Sequence, residues 1–235
     1  MDLHCHIIPY VDDGAVNDEE AMAILQVQEE QGVRVICCTP HLRKGMFETP
    51  DDEIICQFKA LKQRAKEGGS DMLFALSREY HADALFEEKL ENKEIICMGA
   101  GNYILIEFGH AHTMRQIQGT LDLITTSGYR PLIAHVERYP AVYGDEDKII
   151  ELREMGAKIQ VNAGSVLGRG GSKQQAWVKK LLKYRLVDVI ASDAHGTDFR
   201  PPELSECAKY VEKKFGEAYA ERLFHTNPLK ILMKP

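Results

Sequence analysis

No stretch of this chain approaches the roughly 20 consecutive apolar residues that a membrane span needs, and the opening "MDLHCHIIPYVDDG" has neither a basic start nor a long apolar run. Those absences predict a cytoplasmic protein with no membrane insertion. Cysteine is sparse: Cys5, Cys37, Cys38, Cys56, Cys97 and Cys207 make no CxxC pair and lie mostly inside apolar runs, so buried free thiols are expected. Positive charge is short as well. The 29 Lys and Arg against 36 Asp and Glu leave a formal charge of -7, which argues against nucleic acid as a partner, because such binding runs on Lys and Arg displacing counterions from phosphates. No glycine-rich GxGxxG or GxxxxGK[ST] turn follows any apolar run, which removes dinucleotide and P-loop readings. Without Pro-, Ser- or Gly-rich tracts to mark a linker, residues 1–235 read as a single globular domain.

What the chain does have is a repeat of short Val/Ile/Leu runs and longer amphipathic stretches, the pattern of parallel strands joined by crossover helices. Seven strands are expected, at residues 2–7, 33–39, 72–79, 103–108, 131–136, 158–163 and 187–193. The stretch "NDEEAMAILQVQEEQG" predicts a helix capped by Asn17 and closed at Gly32, and Gly128 and Gly156 occupy the same place before later strands. Repeated right-handed βα units in this number favour a closed or nearly closed barrel, in which the C-terminal strand ends converge on one mouth.

The polar residues cluster at those ends. His4 and His6 stand two apart in "HCH", so on a regular strand they share one face while Leu3 and Cys5 share the other. The last strand ends in "ASDAH" with Asp193 and His195 at the same spacing. Between them "CTPH" supplies His41, "SREYH" Glu79, "LIEF" Glu107 and "IAHVER" His135, and only "KIQVNA" ends without a candidate ligand. Any one of these residues is more often an exposed strand-end residue than a ligand, and His81, His110, His112 and His225 are expected to be that. The joint occurrence points elsewhere. Gathering several carboxylates and imidazoles in one pocket is costly without cations, whereas divalent ions favour ionised carboxylate and neutral imidazole. A mixed N/O set suits Mn, Fe or Zn better than a thiolate zinc site.

Read in order, HxH first, a lone histidine after the second strand, central glutamate and histidine, and DxH last, the chain resembles the polymerase and histidinol phosphatase (PHP) superfamily nearly end to end. Within it, "HCHIIPYVDDGA", "RKGMFETP", "IEF", "IAHVERY", "QVNAGS", "IASDAH" and "RPP" look like the bacterial manganese-dependent protein-tyrosine phosphatases of capsule and exopolysaccharide regulation. The resemblance implies a distorted seven-stranded (βα)7 TIM-like barrel, the PHP fold, holding three divalent metal ions, Mn foremost. One metal would take His4, His6, Glu79 and Asp193, a second Glu79, Glu107 and His135, and a third Asp13, His41 and His195. Asp13 rather than Asp12 comes from aligning "VDDG". The implied reaction is hydrolysis of phosphotyrosine by a metal-bridging hydroxide attacking in line with the leaving phenolate. Arg138 and Arg200 would grip the phosphate, Asp193 or His195 would protonate the phenolate, and Arg43 and Lys44, with Phe47, would steer an acidic phosphopeptide. The implied partner is the phosphotyrosine-bearing tail of a bacterial tyrosine autokinase.

Other readings of the arginines are pairing of Arg138 with Glu137 or a helix end, and capping of the "RPP" turn by Arg200, while an exposed "RKGMF" reads equally well as a solvated loop. Cys37 and Arg43 also satisfy the Cys-x5-Arg spacing of thiol-dependent tyrosine phosphatases, but that loop needs a run of backbone N–H groups facing phosphate and Pro40 supplies none. Competing functions are hydrolysis of histidinol phosphate or another small phosphomonoester, a nuclease activity that the acidic composition disfavours, and, in a different class, a non-catalytic phosphopeptide-binding module.

Overall fold

The computed structural model describes residues 1–234; Pro235, the end of the expected domain, lies outside the described residues. The strands are β1 (Asp2–Cys5), β2 (Val35–Cys38), β3 (His41–Leu42), β4 (Leu73–Leu76), β5 (Glu79–His81), β6 (Tyr103–Glu107), β7 (Arg130–Ile133), β8 (Lys158–Asn162) and β9 (Val189–Ala191). The principal helices are α1 (Asp18–Glu30), α2 (Asp51–Glu67), α3 (Ala84–Glu91), α4 (Met114–Thr126), α5 (Glu146–Glu154), α6 (Ala163–Leu167), α7 (Ser172–Lys183) and α8 (Leu204–Phe215), with α9 (Glu217–Glu221) and α10 (Asn227–Leu232) near the C-terminus. The Asn17 side chain caps α1 by accepting the Glu20 N–H at 2.8 Å, and Gly32 follows with φ +80°. That conformation costs glycine little and lets the chain turn straight into the next strand.

All seven expected strand regions are present, but two are broken. Thr39 and Pro40 separate β2 from β3, and Ser77 and Arg78 separate β4 from β5. Pro40 has no N–H to give a ladder, and Arg78 turns inward, fully buried, donating to the His41 carbonyl at 2.7 Å and the Thr49 carbonyl at 2.9 Å and pairing with Asp51 at 2.6 Å. The breaks divide the strands into parallel sheets of order β1-β2-β4 and β3-β5-β6-β7-β8-β9. The Asp193 N–H donates to the His4 carbonyl at 2.8 Å and the His6 N–H to the Ala194 carbonyl at 2.9 Å, which brings the end of the last strand back to the first. The architecture is therefore mixed α/β with a curled parallel sheet. Its ladders fall into two parallel sheets interrupted at those breaks.

Two apolar clusters hold the curl. Leu3, Cys37, Leu105, Leu132, Val189 and Ala191 pack together with Met98 and Ile231, the latter from α10. The alternate residues Ile36, Cys38, Ile104, Ile106, Ile133, Val161 and Ile190 pack into the larger cluster with helix residues such as Ile24, Leu25, Leu121 and Leu181. Strict alternation fails in β1, where Leu3 joins one cluster and Cys5 the other. A register shift between Asp2 and Cys5 interrupts the ladder with β2, as a bulge does when it re-aims side chains near a site.

Candidate metal centre

Every strand-end residue singled out in the sequence reaches one pocket. His4 lies in β1 and His6 just beyond it, Asp13 in the following loop, His41 and Glu79 at the starts of β3 and β5, and Glu107 at the end of β6. His135 stands between β7 and a 3-10 turn at Val136–Arg138, and Asp193 and His195 follow β9. Three groups have ligand atoms close enough for a shared cation: His4, His6, Glu79 and Asp193; His6, Asp13, His41 and His195; and His41, Glu79 and Glu107. His135 faces the last of these, with Nε2 at 2.7 Å from Glu79 Oε1 and 3.9 Å from Glu107 Oε2.

Glu79 is the hub. Its Oε2 lies 3.0 Å from His4 Nε2, 3.2 Å from His6 Nε2 and 3.1 Å from His41 Nδ1. Yet Oε2 and His41 Nδ1 are both buried with no aligned hydrogen-bond partner. A fully buried carboxylate oxygen left unpartnered costs about 1–3 kcal/mol or more, and His4 Nε2 faces His6 Nε2 at only 3.1 Å. Lone pairs that converge in this way, without donors between them, suit a cation in their midst, so the residues fit divalent metals on the chemistry of their donors.

The carboxylates and two of the imidazoles lean to the metal-binding state, while His4 and His6 would give up a proton to a cation. Burial alone would push the Glu79 carboxyl up, but His4, His41 and His135 around it hold it well below its ordinary value. Asp193 is likewise held low against its burial by His4 and Arg138. Burial opposes the charged form of His4 and His6, and the surrounding carboxylates outweigh it. His41 and His195 are pushed down by burial, the neutral form that binds metal. His135, Asp193 and Arg200 all sit at positive φ, +28°, +53° and +49°. Non-glycine residues pay for that conformation and keep it only where their surroundings impose it.

A second layer orients the ligands. Asp12, the residue open to confusion with Asp13, is buried and accepts from His6 Nδ1 at 2.8 Å and from the His41 N–H at 2.9 Å. Asp13 is half exposed, its Oδ1 3.5 Å from both His41 Nε2 and His195 Nε2. The strand that looked empty supplies Gln160, whose Oε1 accepts from His4 Nδ1 at 3.2 Å and from the His135 N–H at 2.7 Å. Its amide donates to Asn162 at 2.7 Å, and Asn162 donates to Asp193 Oδ2 at 2.7 Å. These contacts fix which imidazole nitrogen stays free for a cation. Sequence reasoning missed Gln160 and Asn162 because amides are not ligand types; their alternation within "QVN" was the available signal. His81 was also misjudged. It is buried, with Nδ1 3.0 Å from Glu107 Oε1, and its position two after Glu79 was the same spacing that marked the other pairs.

Arg138 and Arg200 both reach the pocket. Arg138 pairs with Asp193 Oδ2 at 2.8 Å, not with Glu137, which accepts the Asn162 N–H instead. Arg200 places Nη1 3.1 Å from His195 Nε2. Both line a mouth cavity of about 270 Å³ with His41, Glu79, Glu107, His135 and Asp193. Arg43 lines it too, while Lys44 is exposed and does not. Cys37 is wholly buried in the inner cluster and its thiol is pushed up by that burial, so the Cys-x5-Arg spacing is a coincidence of the strand.

With this geometry in place, comparison with known proteins is decisive: residues 1–233 match the family described as capsular polysaccharide synthesis, CpsB/CapC. The chain belongs to that family. It is 41% identical to the tyrosine-protein phosphatase CpsB of Streptococcus pneumoniae over 240 residues, covering 99% of this chain and 98% of the relative. It is 29% identical to the tyrosine-protein phosphatase YwqE of Bacillus subtilis strain 168, over 92% of this chain and 85% of the relative. A crystal structure from work on YwqE of B. subtilis and CpsB of S. pneumoniae, described as unique metal-dependent tyrosine phosphatases, matches at TM-score 0.90 and 29% identity, covering 98% of this chain and 93% of that one. Among the described residues no helix is long and apolar enough to cross a membrane.

Proposed function

We propose that this CpsB/CapC-family chain is a cytoplasmic, metal-dependent protein-tyrosine phosphatase acting on a phosphotyrosine-bearing protein, with the tail of a bacterial tyrosine autokinase as its partner. The observation that carries this is the unpartnered Glu79 Oε2 amid three imidazole nitrogens, with two arginines at the rim of the same pocket. Across residues 1–235, read as one domain, the curled sheet is taken as a distorted seven-position barrel of the PHP type.

Three divalent ions, Mn foremost with Fe or Zn as alternatives, would be held by His4, His6, Asp13, His41, Glu79, Glu107, His135, Asp193 and His195, and would supply Lewis acidity and an acidified water. The chain's own residues do the rest. Arg200 offers its planar fork to non-bridging phosphate oxygens, and Arg138 does so while neutralising Asp193. Arg43 stands at the rim to meet acidic residues flanking the phosphotyrosine, and Lys44 contributes charge from further out. Asp193, held ionised, is poorly suited to give up a proton. His195, pushed towards its neutral form by burial, holds no ready proton either, and a phenolate whose pKa of about 10 demands little help lessens the need for either group.

The test is turnover of a phosphotyrosine peptide, histidinol phosphate and single-stranded DNA after chelation and separate re-addition of Mn, Fe, Zn and Mg. Activity restored by a metal and greatest on the phosphopeptide is expected. A preference for either other substrate overturns the tyrosine assignment, and phosphopeptide binding without phosphate release at full metal occupancy would make the chain a binding module.

A further inference from the structure

The mouth of the metal pocket carries an apolar feature that metal binding and phosphate binding do not require. The chain from Arg43 to Phe47 folds back on itself, with the Arg43 N–H donating to the Phe47 carbonyl at 2.8 Å and the Phe47 N–H to the Arg43 carbonyl at 2.9 Å. Gly45 takes φ +74° at the tip, and the Lys44 N–H is tied to Asp83 at 3.0 Å. Three backbone hydrogen bonds, counting Met46 N–H to the Arg43 carbonyl at 3.1 Å, make this a built turn. It holds the half-buried Phe47 ring nearly parallel to His41, at 11° and 5.1 Å between centroids, with Met46 beside it 59% exposed. Phe47, Met46, Phe108 and Tyr139 line the same cavity as Glu79, Arg138 and Arg200.

A bare phosphate, or the phosphate of an aliphatic alcohol, leaves this shelf in contact with water. A phosphate held among Glu79, Arg138 and Arg200 shares its cavity with Met46 and Phe47, so the group it carries lies within reach of the shelf. An aryl group fits best: its planar face can lie against Phe47 and the polarisable Met46, contacts favoured over water for both.

We infer that the Arg43–Phe47 turn, through Phe47 and Met46, is the element that selects aromatic phosphoesters over aliphatic ones at this metal centre. The inference deepens the phosphotyrosine reading and rests on it. Phosphate itself would be gripped by bound metals and by Arg138 and Arg200, so Phe47 is left to act on the ring.

The experiment compares the metal-loaded wild-type chain with Phe47→Ala, Phe47→Leu and Met46→Ala, measuring KM for a phosphotyrosine peptide and the inhibition constant of inorganic phosphate on the same preparations. Phe47→Ala should raise KM for the peptide about fivefold to tenfold, the size expected for loss of an aromatic contact and its buried area, and leave the phosphate constant within about twofold of wild type. Phe47→Leu should fall between, and should give the same comparison if the alanine variant folds poorly. An unchanged KM overturns the inference. So does a parallel rise in KM and in the phosphate constant, since Phe47 would then act only by supporting His41. If the wild-type chain does not turn over the phosphotyrosine peptide at all, the functional reading fails before any variant is made, and the two failures are distinct.

Discussion

Gln160 shows how much of this site is decided by residues that touch no cation. Its single carbonyl oxygen accepts from His4 Nδ1 and from the His135 backbone, fixing one ligand's tautomer and another's position. Replacing it by leucine preserves bulk but removes both contacts. Gln160→Leu should weaken metal affinity about 10–100-fold, measured by titrating chelated protein with Mn and following bound metal. Cys37 illustrates the opposite case, a suggestive residue with no part in the chemistry. It is buried among Leu3, Leu105 and Val189, with its thiol kept protonated by burial. Cys37→Ser should retain turnover within about twofold of wild type in a phosphopeptide assay at full metal loading, since a protonated buried thiol is no nucleophile. A folded, metal-loaded but inactive variant would revive the thiol mechanism.

Among the elements, the loop between β1 and α1 and the broken strands matter most. That loop folds back on His6: the Ala15 N–H donates to the His6 carbonyl at 3.0 Å, and a Cβ on Gly14 would fall 2.1 Å from that carbonyl oxygen and 2.5 Å from His6 Cβ. Both atoms belong to an element that cannot retreat without moving a ligand. Gly14→Ala should therefore cost about 1–3 kcal/mol of stability and lower the number of metals retained per chain, read by denaturant titration and elemental analysis. Arg78 ties β5 to the far side of the pocket through His41, Thr49 and Asp51. Arg78→Met leaves two carbonyls without their charged donor, and a loss of about 3 kcal/mol in urea unfolding is expected.

For the molecule as a whole, the ligand pocket couples stability to pH. Glu79, Asp193, Asp12, Asp13 and Asp51 all have carboxyls held below their ordinary values. A carboxyl lowered by folding contributes stability that is present above its unfolded pKa, near 4, and is lost as pH falls through the folded value. The metal-free protein should thus show a Tm that drops as pH is lowered from about 5 to about 3, followed by calorimetry or circular dichroism. Glu79→Gln should flatten that acid limb, and an unchanged limb would mean the pocket carboxylates are not its cause.

The strand-end residues were legible along the chain because a βα repeat sends each strand to the same mouth, and ligand chemistry admits few residue types there. His4, His41, Glu79, Glu107, His135 and Asp193 needed only the periodicity and the side-chain inventory to be gathered into one candidate site. The breaks at Thr39–Pro40 and Ser77–Arg78 were hidden because a buried arginine satisfied by distant carbonyls leaves no local pattern. The division of labour between Asp12 and Asp13 was equally hidden, since adjacent identical side chains differ only in where the loop aims them. Gln160, Asn162 and His81 acquired their roles from partners 25 to 156 residues away. Sequence by itself determined the mixed α/β class and the donor types carried at the strand ends, because periodicity and donor type are local properties. Which nitrogen faces a cation, which aspartate supports and which one faces the pocket, and how a phenylalanine comes to lie on a histidine at the mouth were decided by the tertiary structure alone, because each is a distance between parts of the chain that only folding brings together.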